Sequence, residues 1–205
     1  MVGDMPLIEY FADNWENVKN FQAEEGDLLI DTYPKSGTTW ISEIVDLVVH
    51  DGETKTSQRG TIFERVPFLE FAVPGMPTVS YGPWGAHNKD FWKIRHQRDI
   101  LYLFYEDMLE DPKREIRKVM KYVGKDLPDD VVEKIHQRTT FKAMKDNPMA
   151  NYSNIPSSVM DQTISPFMRK GTCGDWKTHF TVAQNELFDE YYKKEISDTD
   201  LTFRF

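Results

Sequence analysis

The sequence predicts an α/β fold, a parallel central sheet flanked by helices, and three observations carry that prediction. Leu28-Leu29-Ile30 and the run from Ile100 to Tyr105 are short, apolar and partly aromatic, as buried strands are. Each leads directly into a segment with apolar residues at helical spacing. Strands that feed helices in this order are the mark of α/β architecture.

The first strand ends at Pro34, which cannot donate to a ladder. Gly37 then allows close backbone approach, Thr38 and Thr39 suit a helix start, and Ile41, Ile44, Val45 and Val48 repeat as a helix face. Such a strand-turn-helix aims backbone N–H groups, the positive end of a helix and the Lys35 ammonium at one point, which suits a phosphate or sulfate. An ordinary αβ connection fits the same residues equally well. The G-x-x-x-x-G-K-[ST] spacing of a Walker loop is absent, because Lys35 precedes Gly37.

Further along, Asp111 caps a helix with Pro112 at its first position, Ile116, Val119, Met120 and Val123 on one face, and Gly124 at its end. Pro128 to Arg138 predicts another short helix with Val131, Val132 and Ile135 inward. Asn147 to Gly174 is polar, holds Pro148, Pro156 and Pro166, and reads as a long loop, a length usually tied to function or mobility. Thr181 to Gln184 is a capping box opening a helix with Leu187, Phe188 and Tyr191 on its apolar side.

The 205 residues suit a single domain, residues 1–205, and 40% hydrophobic with 13% aromatic content suits a folded one. A net charge of −9 argues against a general binder of nucleic acid or anionic membrane. The longest uncharged stretch, Phe71 to Asn88, contains Pro74, Pro77 and Pro83, so no membrane span is expected there. Cys173 is the only cysteine, which excludes an intrachain disulfide and a thiolate metal cluster. Met1 to Tyr10 has neither a basic nor an apolar leader region, and the expected location is cytoplasmic.

Phe167 to Lys177 (FMRKGTCGDWK) sets Arg169 and Lys170 beside Gly171, a compact cationic turn apt for a phosphate. By itself it reads sooner as a solvated basic turn, since charge pairs usually face water. Joined to YPKSGTTW at 33–40, LFYED at 103–107, TTFKAM at 139–144 and NPMANY at 147–152, it makes a distinctive set. With these motifs the chain resembles the cytosolic sulfotransferases, most closely their phenol-type (family 1) branch, from about Asn14 to the C-terminus.

The resemblance implies sulfuryl transfer from the co-substrate 3′-phosphoadenosine 5′-phosphosulfate (PAPS), without a metal, to a hydroxyl or amine of a small phenolic acceptor. Lys35, Ser36, Gly37, Thr38, Thr39 and Trp40 would hold the 5′-phosphosulfate, with Lys35 offsetting charge on the leaving phosphate. Trp40, Tyr105, Thr139, Phe141 and Met144 would hold the adenine, Arg169, Lys170 and Gly171 the 3′-phosphate. Thr140, Phe167 and Met168 complete the nucleotide-binding stretches. Phe68 and Phe71 match positions that wall an apolar acceptor pocket, with core packing as the alternative. Lys177, Thr181, Val182 and Glu186 match a KxxxTVxxxE motif that implies a homodimer.

Two family motifs are missing. A K-T-H-x-P strand end, whose histidine is the general base, and an A-R-N-x-K-D strand end, whose arginine binds the 3′-phosphate, do not occur. The chain passes from Phe71 through Thr78 directly to Val79–Trp84, so an internal deletion between about residues 76 and 80 is expected. The expected consequences are slower chemistry and lower stability, through strand edges left unpaired. The alternative function is accordingly a catalytically impaired, truncated form that binds nucleotide weakly or pairs with another subunit. Of His50, His87, His96, His136 and His179, only His87 and His96 are not placed elsewhere by their segments, and no sequence spacing sets either beside Lys35.

Overall fold

Helix α2, Thr38–Val49, is the element around which the rest is arranged. The fold is that of a computed structural model, which describes residues 9–68 and 84–204, with the side chains of residues 9–14 left aside. The other helices are α1 (Glu9–Asn20), α3 (Ile62–Arg65), α4 (Trp84–Ile94), α5 (Tyr105–Glu110), α6 (Pro112–Tyr122), α7 (Asp129–Arg138), α8 (Phe141–Lys145) and α9 (Val182–Glu195). Phe71 and the expected deletion junction lie outside the described residues.

The apolar stripe of α2, Ile44, Leu47 and Val48, packs on Ile116, Val119 and Met120 of α6, Val132 and Ile135 of α7, and Met108 of α5. These are the faces expected from the 3.6-residue period. Asp111 caps α6 by accepting from the Arg114 amide at 3.0 Å, and Pro112 occupies the first turn. Thr181 and Gln184 close the expected capping box at the start of α9.

A buried ion network ties α3 to the outer side of α2. The Arg65 guanidinium, 1% exposed, donates to Glu43 at 2.5 Å and also to Asp46. Its Nε donates to the Gly60 carbonyl at 3.0 Å, and Arg59 reaches Asp46 at 2.6 Å. A second, aromatic layer joins α4 to α9 and the C-terminal segment. Trp84 lies on Phe203 with ring centroids 4.6 Å apart, Trp92 donates to Asp200 at 2.7 Å, and Lys89 reaches the Glu195 carbonyl at 3.0 Å.

The two expected strands differ from the prediction. Residues 28–33 and 100–104 have no helical hydrogen bonding, yet no strand ladder forms among the described residues, and Tyr105 opens α5. Apolar runs become strands only when a neighbour accepts and donates along them. Here Leu28 and Leu29 are 41% and 72% exposed. The parallel central sheet is therefore not seen among the described residues.

Candidate functional site

The turn before α2 is built for close approach. Lys35 has φ of 66° and Gly37 φ of 105°, both in the left-handed region, and the Ser36 amide closes the turn on the Tyr33 carbonyl at 3.1 Å. No side chain caps α2, and its first turn carries no acidic residue. The Trp40 amide already donates to the Gly37 carbonyl at 2.9 Å, so the Thr38 and Thr39 N–H groups and the positive end of the helix dipole are what the turn offers an anion. Thr32 and Thr38 are joined by a hydroxyl–hydroxyl hydrogen bond, which fixes the entry into the helix.

Lys35 does not point away from the rest of the molecule. Its Nζ donates to the Phe167 carbonyl at 3.2 Å and sits 4.0 Å from the centre of the Phe167 ring. Burial, and the nearby charge of Arg169, push the Lys35 ammonium below its usual range. Two cationic segments far apart in sequence thereby face one locality.

Arg169 and Lys170 both pair with the Asp175 carboxylate, and His179 approaches it at 3.3 Å. The hydrogen bonds from Lys170 and Arg169 hold the Asp175 carboxyl well below the usual carboxylate range. Gly171, at φ of 68°, lies flat against Phe141, since a Cβ there would stand 2.2 Å from the ring. Gly37 lies similarly against Tyr105, whose ring is edge-on to Trp40 at 5.6 Å. Trp40, Tyr105, Phe141 and Gly171 therefore belong to one neighbourhood with Lys35 and Arg169.

Other expected residues serve the fold in this arrangement. Thr139 is 2% exposed and its hydroxyl donates to the Ile135 carbonyl at 2.9 Å. Met144 is 2% exposed, and Thr140 caps α8 by accepting from the Ala143 amide. Thr39 shares a hydrogen bond with Tyr152. Phe68 is half-buried. Lys177, Val182 and Glu186 are on the surface, with Val182 76% exposed beside Thr181, the cap of α9.

Sequence reasoning assigned no role to three participants. Tyr152, at φ of 60°, packs on Phe167 with ring centroids 4.1 Å apart and planes tilted by 34°, and so supports the residue that holds Lys35. Asp175 occupies the cations of the basic turn. His87, in the first turns of α4, lies with Nε2 3.9 Å from Asp31 and its ring 5.7 Å from Tyr33. Tyr152 and Asp175 fall within quoted motifs, whereas the contacts of His87 depend on how α4 folds back.

No helix among the described residues is long and apolar enough to cross a membrane. The family profile described as the sulfotransferase domain matches in two blocks, residues 25–78 and 76–200. Sulfotransferase 1A1 of Bos taurus is 40% identical over 279 aligned positions, covering 100% of this chain and 95% of the relative. Sulfotransferase 1B1 of Canis lupus familiaris is 39% identical over 280, with the same coverage. A solved structure of retinol dehydratase in complex with androsterone and the inactive cofactor PAP superposes with a TM-score of 0.81 at 17% identity, over 97% of this chain and 89% of that one. Mouse sulfotransferase SULT7A1 complexed with PAP gives 0.68 at 23% identity, over 94% and 91%. The two-block profile match and the full-length relatives together show that this chain belongs to the sulfotransferase domain family.

Proposed function

We propose that the chain binds PAPS between the Lys35–Trp40 loop and the Arg169–Gly171 turn and transfers its sulfuryl group to a small phenol or amine. The observation that carries this reading is the hydrogen bond from Lys35 to Phe167, two residues before Arg169, beside an uncapped helix N-terminus. The residues present fit a nucleotide with phosphates at two ends. Main-chain N–H groups and Lys35 suit the 5′ group, and a forked guanidinium suits the 3′-phosphate. Trp40, Tyr105 and Phe141 supply aromatic surface between them. Relatives named as sulfotransferases, and neighbours crystallised with PAP, support the donor assignment.

Within this reading Lys35 offsets the charge that collects on the leaving phosphate, an interaction stronger in the transition state than in the ground state. No metal enters the reaction. The exposed apolar residues of α9, Val182, Leu187 and Tyr191, support a homodimer through Lys177, Thr181, Val182 and Glu186. A single cysteine is in keeping with a cytoplasmic protein.

One observation favours a second reading. An alignment of 279 positions accommodates a chain of only 205 residues, and the profile match breaks near residues 76–78, where the two missing motifs would fall. That supports an internal deletion and a truncated form that binds nucleotide or pairs with another subunit without turnover. Titration calorimetry with 3′-phosphoadenosine 5′-phosphate, followed by a sulfonation assay on a simple phenol, separates the two. Binding with turnover that Lys35→Ala lowers by about 10²- to 10³-fold supports the enzyme. Binding without turnover supports the second reading, and a folded protein that shows neither overturns both.

A further inference from the structure

Sulfuryl transfer to a hydroxyl requires a group that takes the hydroxyl proton, and the K-T-H-x-P histidine is absent from this chain. Among the described residues one histidine lies against the segment that carries Lys35. The His87 ring is edge-on to Tyr33 at 5.7 Å and lies 5.2 Å from Phe91 on its own helix. Its Nε2 is 3.9 Å from Oδ2 of Asp31. The His87 side chain is 14% exposed, and that of Asp31 33%. Lys35 is only two residues beyond Tyr33, at most about 7 Å along an extended chain.

The other histidines stand elsewhere. His50 follows the far end of α2, roughly 18 Å from its start by helical rise, and its Nδ1 contacts the Asp46 carbonyl at 2.7 Å. His179 is engaged with Asp175. His136 lies on α7, and His96 is exposed after the end of α4.

We infer that His87, packed against Tyr33 and facing the Asp31 carboxylate, is the proton acceptor for the attacking hydroxyl, an assignment that rests on the PAPS-binding reading above. A carboxylate 3.9 Å from one imidazole nitrogen is within reach to offset, by its charge, the imidazolium that forms. Nε2 faces Asp31, so Nδ1 is the nitrogen that takes the proton from the acceptor hydroxyl as its oxygen bonds to sulfur. The bond from sulfur to the bridging oxygen breaks, and its electron pair stays on the departing 5′-phosphate, beside Lys35. The proton passes from His87 to solvent once the sulfate ester leaves. Tyr33 and Phe91 restrict the ring on two sides. Burial raises the Asp31 carboxyl, while His87 and the Thr32 amide act in the opposite direction.

The test compares two phenols with the full chain and PAPS, 4-methylphenol, which is un-ionised at neutral pH, and pentafluorophenol, which is ionised. His87→Gln and His87→Ala should lower turnover of 4-methylphenol by about 10²- to 10⁴-fold and leave pentafluorophenol within roughly threefold, with affinity for 3′-phosphoadenosine 5′-phosphate unchanged. Asp31→Asn, a positioning variant, should show the same selectivity to a smaller degree. Equal losses on both phenols, no loss on either, or a wild-type chain that binds the nucleotide and sulfonates neither would each overturn the assignment. A wild-type chain that fails to bind the nucleotide would overturn the donor reading itself, and this inference with it.

Discussion

The Lys35 ammonium donates to the carbonyl of Phe167, 3.2 Å away and 132 positions later in the chain. A loop and a turn with no local relation thus share one locality, and the contact occupies the lysine through a neutral carbonyl. An arriving phosphosulfate would exchange that carbonyl for a charged partner, which is the stronger hydrogen bond. Lys35→Ala should therefore cost about 10²- to 10³-fold in turnover, in line with removal of one preplaced donor. Stability should change little with it, because alanine keeps the same φ of 66° and the hydrogen bond lost is an exposed one. Lys35→Gly should lose turnover to a similar degree and be more stable by about 1 kcal/mol, since glycine adopts that conformation without strain. Urea melts of the two variants beside the phenol assay check both halves. A destabilised glycine variant would contradict the argument.

Asp175 pairs with both Arg169 and Lys170, the cations that the proposed function assigns to the 3′-phosphate, so under that proposal it competes with the nucleotide. Asp175→Asn should tighten 3′-phosphoadenosine 5′-phosphate binding by about two- to fivefold, the scale of one exposed ion pair. The same residue sets an acid limb of stability. Its folded-state pKa is depressed, so its contribution is present above the unfolded value of about 3.9 and is lost as pH falls through the folded one. Melts of the wild type between pH 7 and pH 2 should decline more steeply below about pH 4 than those of Asp175→Asn. Parallel curves, or weaker nucleotide binding by the variant, would refute this role.

How much of this was legible beforehand depends on the range of the forces involved. The helices around Asp111, Pro112 and Thr181 were readable because caps and 3.6-residue stripes act within a few positions. The loop at Lys35 and the turn at Arg169 were readable as motifs for the same reason. The strands at Leu28 and Ile100 were inferred from local pattern, but a strand also needs a partner, and none is present among the described residues. Thr139 and Met144 carry the family pattern yet lie inside the packing, where pattern alone does not distinguish a ligand contact from a core one. The pairing of His87 with Asp31 joins α4 to the segment before the loop, and no spacing rule reaches that far.

Arg65 is the buried counterion of Glu43 and Asp46, all three side chains being 3% exposed or less. Removing one member of such a group leaves uncompensated charge, and Arg65→Ala should destabilise the chain by about 3–5 kcal/mol at pH 7. Burial raises the Glu43 carboxyl, and Arg65 is the main influence lowering it. Without the arginine the carboxyl should rise further, so the variant recovers stability as acidification lets Glu43 take up a proton. The gap between wild type and Arg65→Ala in urea melts should narrow from pH 7 to pH 5. A gap that widens would show that the pair is not the source of the loss.

Gly171 joins the cationic turn to the aromatic side of the site, and its replacement separates space from charge. A methyl group at this position would stand 2.2 Å from Cδ2 of Phe141 and 2.5 Å from its Cγ, closer than real Cβ atoms approach. The backbone there has φ of 68°, which an alanine tolerates poorly. Gly171→Ala therefore has to displace the ring or the turn, at a cost of about 1–3 kcal/mol in stability. Arg169 and Lys170 keep their charges, so long-range attraction of an anion is unaltered. The loss should appear as faster dissociation of 3′-phosphoadenosine 5′-phosphate, about tenfold or more, with the association rate nearly unchanged. Stopped-flow binding distinguishes the two rates. A variant slowed in association alone would show that Gly171 acts through the charged turn and not through its contact with Phe141.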